Sequence, residues 1–322
     1  METLLTTLRA AAEPTRLRLL ALAAQGQFCV IEFAEVLGQS QPRLSRHLKL
    51  LGEAGLLDRS REGSNTWFTL PSATTPAGSL ARLLLGRIPA DDPALVADRR
   101  HAARVLAERA RAASETFQRT GADWDEMRAL NLAASAVERA LLDLLPPAAI
   151  GRMLDIGTGT GALLERLAPR VSSALGVDAS RAMLALARTR LAKPGLDHCA
   201  VRHADMYRLP LGDGGFDLVV LQMVLHYADD PAGALAEAAR VLRPGGRVVV
   251  VDLAPHTDKA VMTRLAHRWP GFADATMLEM LAETGLTIHG AQTVRGPLDV
   301  RIWSAGLASL PAPADLAMEA TR

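Results

Sequence analysis

The sequence has 322 residues, of which 49% are hydrophobic and 22% charged, enough for two folded domains at about 150 residues each. Its formal net charge of +1 excludes a chain that is basic throughout, so any surface for nucleic acid must be local. Two distant cysteines, Cys29 and Cys199, argue against a disulfide framework, and the apolar stretches are too short to span a bilayer. Since the N-terminus also lacks a basic segment followed by an apolar run, we expect a cytoplasmic protein without membrane contacts.

Residues 1–72 combine short helical patterns with a hairpin. Leucines recur at helical spacing in the first 22 residues, and Pro14 opens a second helix that Gly26 ends. Residues 30–37 predict a short helix, and Ser40 caps a following helix over residues 41–54. Residues 56–60 and 66–70 flank a five-residue turn, which predicts a hairpin. Two helices joined by a three-residue turn and followed by a hairpin indicate an α+β winged helix-turn-helix.

The second helix of this motif and the hairpin carry a local basic charge. Between Gln41 and Arg61, five Lys and Arg residues oppose two acidic residues, a local charge of +3. A basic helix and wing suit the major groove and the phosphates of double-stranded DNA. The predicted DNA-contacting residues are Gln41, Arg43, Ser45, Arg46, His47 and Lys49 on the helix and Arg59 and Arg61 on the hairpin. A winged helix used for protein interaction without DNA is the alternative.

The stretch from Ser40 to Leu57, with residues 13–20 before it, resembles ArsR/SmtB-type winged-helix repressors. The resemblance covers about the first seventy residues and implies operator DNA as a partner. Many members of this family sense metals through a pair of cysteines, but here Ile31 occupies the position of the second thiolate. Since Cys29 alone does not close a soft-metal site, we expect no metal site and a buried apolar role for this thiol.

Residues 71–78 predict a linker, and residues 79–148 predict helices rich in Arg, Ala and Glu. This helical region is expected to join the two domains and to form dimer contacts, with a solvated helical spacer as the alternative. In a two-fold dimer, two recognition helices would lie about 34 Å apart and match half-sites one helical turn apart.

Residues 149–310 alternate between strand and helix patterns. This alternation indicates a doubly wound α/β domain of Rossmann-like type with a parallel sheet. The predicted strands are residues 152–156, 174–178, 199–202, 216–221 and 247–251, and the predicted helices include residues 162–167 and 181–191.

A glycine-rich loop follows the first of these strands. Gly157, Gly159 and Gly161, with Thr158 between the first two, allow a sharp turn and a close approach of a ligand. Asp178 ends the next strand, where a carboxylate accepts hydrogen bonds from ribose hydroxyls. The loop also satisfies a dinucleotide-binding pattern, but the carboxylate of Asp155 would repel a pyrophosphate.

Four motifs in order resemble class I methyltransferases that use S-adenosylmethionine, namely residues 153–161, 204–210, 216–220 and 241–246. The resemblance implies that S-adenosylmethionine or S-adenosylhomocysteine is bound, with Asp155 at its amino-acid end. By the same similarity, Asp205 would bond the adenine amine, Met206 would cover the ring and Gln222 would lie beside the sulfur. Met183 would lie near the adenine, and Ala179 would be a further residue of the ligand-binding site.

Methyl transfer itself stays open at this stage. His226 and Tyr227 follow the fourth strand, where a substrate would lie, and are the candidates for assisting proton transfer, although local packing is the favoured interpretation for both. Arsenic methylation is disfavoured because Cys199 stands alone. Residues 254–256, 266–268, 271–274 and 282–286 resemble a subgroup that fuses an ArsR-type domain to a methyltransferase domain and includes repressors responding to S-adenosylhomocysteine.

The sequence therefore predicts a homodimeric repressor whose methyltransferase fold senses an adenosyl ligand. The alternatives are a working small-molecule methyltransferase with an ArsR-type domain, and a protein that does both.

Overall fold

A computed structural model describes residues 1–120, 130, 132–145 and 149–307 of the chain. The N-terminal part contains four helices and a three-stranded sheet. The helices are α1 (Glu2–Ala11), α2 (Pro14–Ala23), α3 (Val30–Leu37) and α4 (Gln41–Glu53). The strands are β1 (Phe28–Cys29), β2 (Asp58–Glu62) and β3 (Asn65–Thr69), in the order β1-β3-β2.

The winged helix-turn-helix predicted from the sequence is confirmed. Gly38 ends α3 with φ = 63°, a left-handed conformation that glycine adopts without strain. Leu44, Leu48 and Leu51 of α4 are buried, which leaves the opposite face of this helix to solvent. The hairpin turn is shorter than predicted, because the strands extend to Glu62 and Asn65.

Two further helices follow the hairpin, α5 (Pro76–Leu85) and α6 (Pro93–Thr120), and α7 (Ala134–Leu144) precedes the second sheet. The predicted linker is therefore shorter than expected, since α5 begins inside it at Pro76 with Thr75 as its cap. Helix α6 packs against α2 and α3 of the winged helix. Arg18 of α2 forms an ion pair of 2.6 Å with the buried Asp98 of α6, which fixes this helix to the N-terminal part.

The C-terminal part is a seven-stranded sheet in the order β6-β5-β4-β7-β8-β10-β9. Its strands are β4 (Ile150–Ile156), β5 (Val171–Asp178), β6 (Cys199–His203), β7 (Phe216–Gln222), β8 (Leu242–Leu253), β9 (Leu286–Val294) and β10 (Val300–Leu307). Its helices are α8 (Ala162–Leu167), α9 (Arg181–Leu191), α10 (Pro231–Val241), α11 (Lys259–Leu265) and α12 (Asp274–Glu283).

The first five strands pair in parallel, so the predicted Rossmann-like α/β fold is confirmed. Strands β9 and β10 were not predicted; β10 pairs antiparallel with β8 on one side and with β9 on the other. Two hydrophobic clusters bury the two faces of the sheet. In the described ranges, no helix combines the length and the apolar character needed to cross a membrane.

Candidate functional sites

The carboxyl ends of four adjacent parallel strands form one edge of the sheet, and the predicted ligand-binding residues gather there. The strands are β6, β5, β4 and β7, and ligands of open α/β sheets bind at this edge. Asp155 lies near the end of β4, Asp178 ends β5, and Gln222 ends β7. Asp205 follows β6 and is joined to that edge, because the Ala204 N–H donates to the carbonyl of Asp178 at 3.1 Å.

The glycine-rich loop leaves β4 in a conformation that requires glycine. Gly157, Gly159 and Gly161 have φ of 76°, 52° and 72°. A Cβ on Gly157 would lie 2.5 Å from a methyl group of Val224, so the loop is held close to the segment after β7. A Cβ on Gly159 would meet nothing within 4 Å, so this residue borders open space in which a ligand can approach the backbone.

Two acidic side chains hold the loop. The Thr158 hydroxyl donates to Asp155 at 2.7 Å, and the Gly159 N–H donates to Asp178 at 2.8 Å. Burial raises the pKa of Asp155 to about 7, and the negative charge of Asp178 acts in the same direction. Burial also raises the pKa of Asp178, although its backbone hydrogen bonds from Ser180 and Gly159 oppose the shift.

These groups fit an adenosyl ligand by their chemistry. Carboxylates at the strand ends accept hydrogen bonds from ribose hydroxyls and favour a positively charged amine, whereas they repel a pyrophosphate. Met183 lies in the first turn of α9 and is half-buried, as is Met206, while Ala179 and Asp205 are exposed. The fold thus brings all of the predicted residues to one edge, and their individual roles stay predictions.

A buried histidine–aspartate pair lies beside this edge. The Nδ1 of His226 is 2.7 Å from a carboxylate oxygen of Asp252, and both side chains are fully buried. The backbone N–H groups of Leu225 and Leu253 also donate to Asp252. The sequence analysis missed Asp252, although an acidic residue near the end of an apolar strand was the available signal. The ring of His226 lies 4.4 Å from the ring of Tyr227, whose exposed fraction is 37%.

Close to this pair, the backbone of Met223 has φ = 53°, a conformation that side-chain-bearing residues rarely adopt. The Met223 N–H donates to the carbonyl of Val251 at 2.7 Å, which holds the segment after Gln222 in place. The ring of His267 lies 4.4 Å from that of His226, so the chain brings two histidines together here.

The predicted DNA-contacting surface divides into two parts. On α4, Gln41, Arg43, Ser45 and Arg46 are exposed, whereas His47 is half-buried with its Nδ1 3.6 Å from Glu13. The exposed Lys49 lies 3.8 Å from Glu53. On the hairpin, Arg61 is exposed, and Arg59 lines a cleft that faces the C-terminal part of the chain.

Two family models match the chain. Residues 13–59 match the bacterial regulatory protein, arsR family, and residues 154–250 match a methyltransferase domain. The protein joins an ArsR-family domain to a methyltransferase domain. These two matches confirm the two resemblances seen in the sequence.

Several individual proteins that are similar to the chain are methyltransferases. The chain is 42% identical over 108 residues to the ubiquinone/menaquinone biosynthesis C-methyltransferase UbiE of Desulfotalea psychrophila, covering 33% of this chain and 42% of that protein. It is 40% identical over 119 residues to a demethylmenaquinone methyltransferase of Thermus thermophilus, covering 36% and 54% of the two chains. The chain thus spans about half or less of these curated relatives. An S-adenosylmethionine-dependent methyltransferase of Mesorhizobium loti shares 24% identity at a TM-score of 0.45, over 52% of this chain and 96% of the other.

The wing of the ArsR-family domain, which is the hairpin of β2 and β3, packs against helix α9 of the methyltransferase domain. Glu62 of β2 forms an ion pair with Arg188 of α9, and their side chains are 7% and 1% exposed. The guanidinium carbon of Arg188 also lies 3.7 Å from the ring centre of Trp67 in β3. At the turn of the wing, a Cβ on Gly63 would lie 3.0 Å from the guanidinium of Arg181.

Other polar contacts extend this interface. The side chain of Gln27 accepts a buried hydrogen bond of 3.0 Å from the Val201 N–H of β6. Arg109 of α6 pairs with Glu32 of α3 at 3.1 Å, and its guanidinium carbon lies 5.5 Å from the ring centre of Trp67. The two domains are thus joined by buried charged groups that none of the sequence motifs predicted.

Proposed function

We propose that the protein is a DNA-binding transcriptional repressor whose methyltransferase domain binds an adenosyl ligand and thereby changes the affinity for DNA. The ArsR-family match and the exposed basic face of α4 support DNA as the partner of the N-terminal domain. The methyltransferase match and the acidic strand ends support S-adenosylmethionine or S-adenosylhomocysteine as the ligand of the C-terminal domain.

The proposed binding mode uses groups of this chain at the edge described above. The glycine-rich loop gives the ligand a close approach to the backbone at Gly159, and Asp178 accepts from the ribose hydroxyls. Asp155 faces the amino-acid end of the ligand, and Gln222 lies beside the sulfur. The adenine is surrounded by four residues, namely Met183, Ala179, Asp205 and Met206. If bound as S-adenosylmethionine, the ligand supplies an activated methyl group.

The observation that carries the regulatory proposal is the position of helix α9. The helix begins three residues after Asp178, with the Ser180 hydroxyl accepting from the Met183 N–H, so its first turn borders the ligand edge. The same helix carries Arg181 at the wing turn and Arg188 in the buried ion pair with Glu62. One helix therefore contacts the wing and would also contact the proposed ligand.

Ligand binding regulates DNA binding only if the ligand binds the DNA-competent and the incompetent forms unequally. The wing offers such a difference, because it contacts DNA in winged-helix complexes and contacts α9 here. A shift of α9 by the ligand would change the free energy of wing docking, and that change would appear as a change in operator affinity.

We propose a homodimer as the DNA-binding form. On α1, Leu4, Leu5 and Leu8 are 52%, 43% and 37% exposed, and their spacing places them on one face of the helix. Such a face supports association with a second copy. Sedimentation of the free protein measures this state directly, and a monomer at the concentration that saturates the operator would contradict it.

The test of the regulatory proposal measures operator affinity by fluorescence anisotropy with and without S-adenosylhomocysteine, using promoter DNA of the protein's own gene. In the wild type the ligand is expected to change the affinity by about fivefold or more, the lower range of allosteric coupling. In the variant Glu62→Gln with Arg188→Met, this change should shrink while ligand binding persists. An equal ligand effect in the variant would show that the wing contact does not transmit it.

A second candidate function is methyl transfer to a small-molecule acceptor, and the His226–Asp252 pair favours it. A carboxylate that accepts from Nδ1 orients the imidazole and makes Nε2 the basic nitrogen. Since His226 is fully buried, it acts as a general base only if the acceptor enters beside its ring, next to the partly exposed Tyr227. Demethylmenaquinone, which appears in the name of a curated relative, is the first acceptor to test in its reduced form. Formation of S-adenosylhomocysteine that is lost in His226→Asn would support this function.

A further inference from the structure

A cleft of about 600 Å³ lies between the ArsR-family and methyltransferase domains. It is separate from the adenosyl edge, by which we mean the edge of the sheet formed by the carboxyl ends of β6, β5, β4 and β7. One wall is β2 and β3 of the wing with the following residues 69–75. The other wall consists of residues 152–153 of β4, 173–175 of β5 and 200–202 of β6, together with residues from the loop 210–216. The size matches that of small-molecule sites in proteins, which are about 300–1,000 Å³.

Three arginines from different elements line this cleft, namely Arg59 of β2, Arg152 of β4 and Arg202 of β6. In the part of the chain that the structure describes, their guanidinium groups have no ion pair or hydrogen bond. The Nε of Arg202 is itself buried without a partner, which is costly for a charged donor. The side chain of Arg152 lies with its guanidinium carbon 5.0 Å from the ring centre of Phe216.

The acidic residues of the cleft leave this positive charge largely uncompensated. Asp197 is paired with Arg82 at 2.9 Å, and Asp213 is paired with Arg240 at 2.6 Å. Asp58 is the remaining carboxylate that lines the cleft. Burial raises the pKa of Asp58, and the charges of Arg202 and Arg152 oppose the shift, so one carboxylate faces two of the three arginines.

Trp67 provides an independent observation at the same place. Trp67 is among the residues that line the cleft, is only 7% exposed, and has an indole N–H without a hydrogen-bond partner among the described residues. A buried donor of this kind is usually satisfied by protein, water or ligand. The cleft thus brings two buried donors without partners in the described ranges, on Trp67 and Arg202, together with the charged guanidinium groups.

We infer that this cleft binds a small anion carrying phosphate or carboxylate groups. Guanidinium groups recognise both kinds of oxyanion through paired, charge-assisted hydrogen bonds. The walls belong to two domains, and Trp67 is also the residue over which Arg188 stacks. An anion bound here would therefore hold the two domains together next to the wing contact, at a site separate from the adenosyl edge.

The test is calorimetric titration of the full chain with inorganic pyrophosphate and, separately, with citrate at constant ionic strength. We expect saturable 1:1 binding of at least one of them, and the two arms distinguish phosphate from carboxylate chemistry. In Arg152→Gln with Arg202→Gln the affinity should fall by about tenfold or more, since each lost charge-assisted hydrogen bond is worth more than a neutral one. The control Arg139→Gln with Arg295→Gln removes two exposed arginines outside the cleft and should leave the affinity unchanged.

The single variant Arg59→Gln, at an exposed position on β2, gives a second measurement if the double variant unfolds, and a smaller loss of affinity is expected. Absence of saturable binding of both anions to the wild type would overturn the inference. So would an equal loss in the control. If the anions fail to bind while the double variant loses operator affinity, the arginines contact DNA phosphates instead of a small anion.

Discussion

Arg188 and Glu62 lie 126 residues apart in the sequence and form a buried ion pair between helix α9 and the wing. The aromatic ring of Trp67 covers the guanidinium of Arg188 on one face, so this cation contacts two strands of the wing at once. The pair therefore couples the stability of the domain interface to the position of a helix that starts at the candidate ligand site.

Removing one partner of this pair is expected to destabilise the protein strongly. Arg188→Met leaves the carboxylate of Glu62 buried and uncompensated, which costs about 3–5 kcal/mol in comparable buried pairs. Adding Glu62→Gln removes that uncompensated charge and should recover part of the loss. Urea unfolding followed by tryptophan fluorescence measures both effects.

The matched control is Arg111→Met, which breaks exposed ion pairs with Glu108 and Glu115 on α6. Exposed pairs contribute little, so this variant should unfold near the wild-type midpoint. Equal destabilisation by Arg188→Met and Arg111→Met would contradict the importance of the wing contact.

The exposed arginines of α4 are expected to carry operator binding. Replacing Arg43 and Arg46 with Ala should abolish measurable binding to promoter DNA at physiological salt. At low salt, where residual binding is measurable, the slope of log affinity against log salt concentration should fall by about two if both arginines contact phosphates. The pair Arg139→Ala and Arg295→Ala, at exposed positions on α7 and just after β9, serves as the control. Unchanged DNA affinity in the α4 variant would contradict the assignment of α4 as the recognition helix.

Asp178 is expected to bind the ligand ribose without affecting DNA contacts. Asp178→Asn replaces one acceptor oxygen by a donor, and we expect S-adenosylhomocysteine affinity to fall about tenfold to a hundredfold, as for a hydrogen bond to a charged group. The affinity for promoter DNA without ligand should stay at the wild-type value. Asp91→Asn, at an exposed position, is the control. A ligand titration of Asp178→Asn that matches the wild type would disprove the ribose placement.

Ligand affinity is also expected to depend on pH near neutrality. Because burial raises the pKa of Asp155 to about 7, this carboxyl is mostly protonated below that pH in the free protein. A ligand ammonium group favours the ionised carboxylate, so binding must release a proton there. Affinity should therefore decrease as pH falls below about 7, approaching tenfold per pH unit. Asp155→Asn should bind more weakly at pH 8 and show a nearly flat profile. A wild-type profile that is flat between pH 6 and 8 would show that Asp155 does not face the amine.

Local sequence signals predicted the elements that build both sites. Gly38 and Ser40 placed the turn between α3 and α4, and the helices at residues 162–167 and 181–191 have the predicted bounds. These signals are local because caps, glycines and apolar spacing act within one element. Strand β9 lacked such a signal, since it alternates exposed and half-buried residues without a strong apolar run. Strand β10 carries Val300, Ile302 and Trp303 and is mostly buried, so its signal was present and was missed.

The features that sequence could not predict depend on tertiary contacts. Glu62 and Arg188 are ordinary charged residues in their own segments, and only the packing of the wing on α9 makes them partners. The same holds for Asp252, whose relation to His226 comes from the pairing of β7 with β8. The arginines of the interdomain cleft likewise come from three separate strands.

The most direct test of the regulatory account is calorimetric titration of the purified protein with S-adenosylhomocysteine and, separately, with S-adenosylmethionine, each with and without promoter DNA of its own gene. Coupling between the sites must be reciprocal, so DNA should change the affinity for at least one ligand by the same factor by which that ligand changes the affinity for DNA. That result would support the sensor. Equal ligand affinities with and without DNA would contradict it and direct the search toward a methyl acceptor.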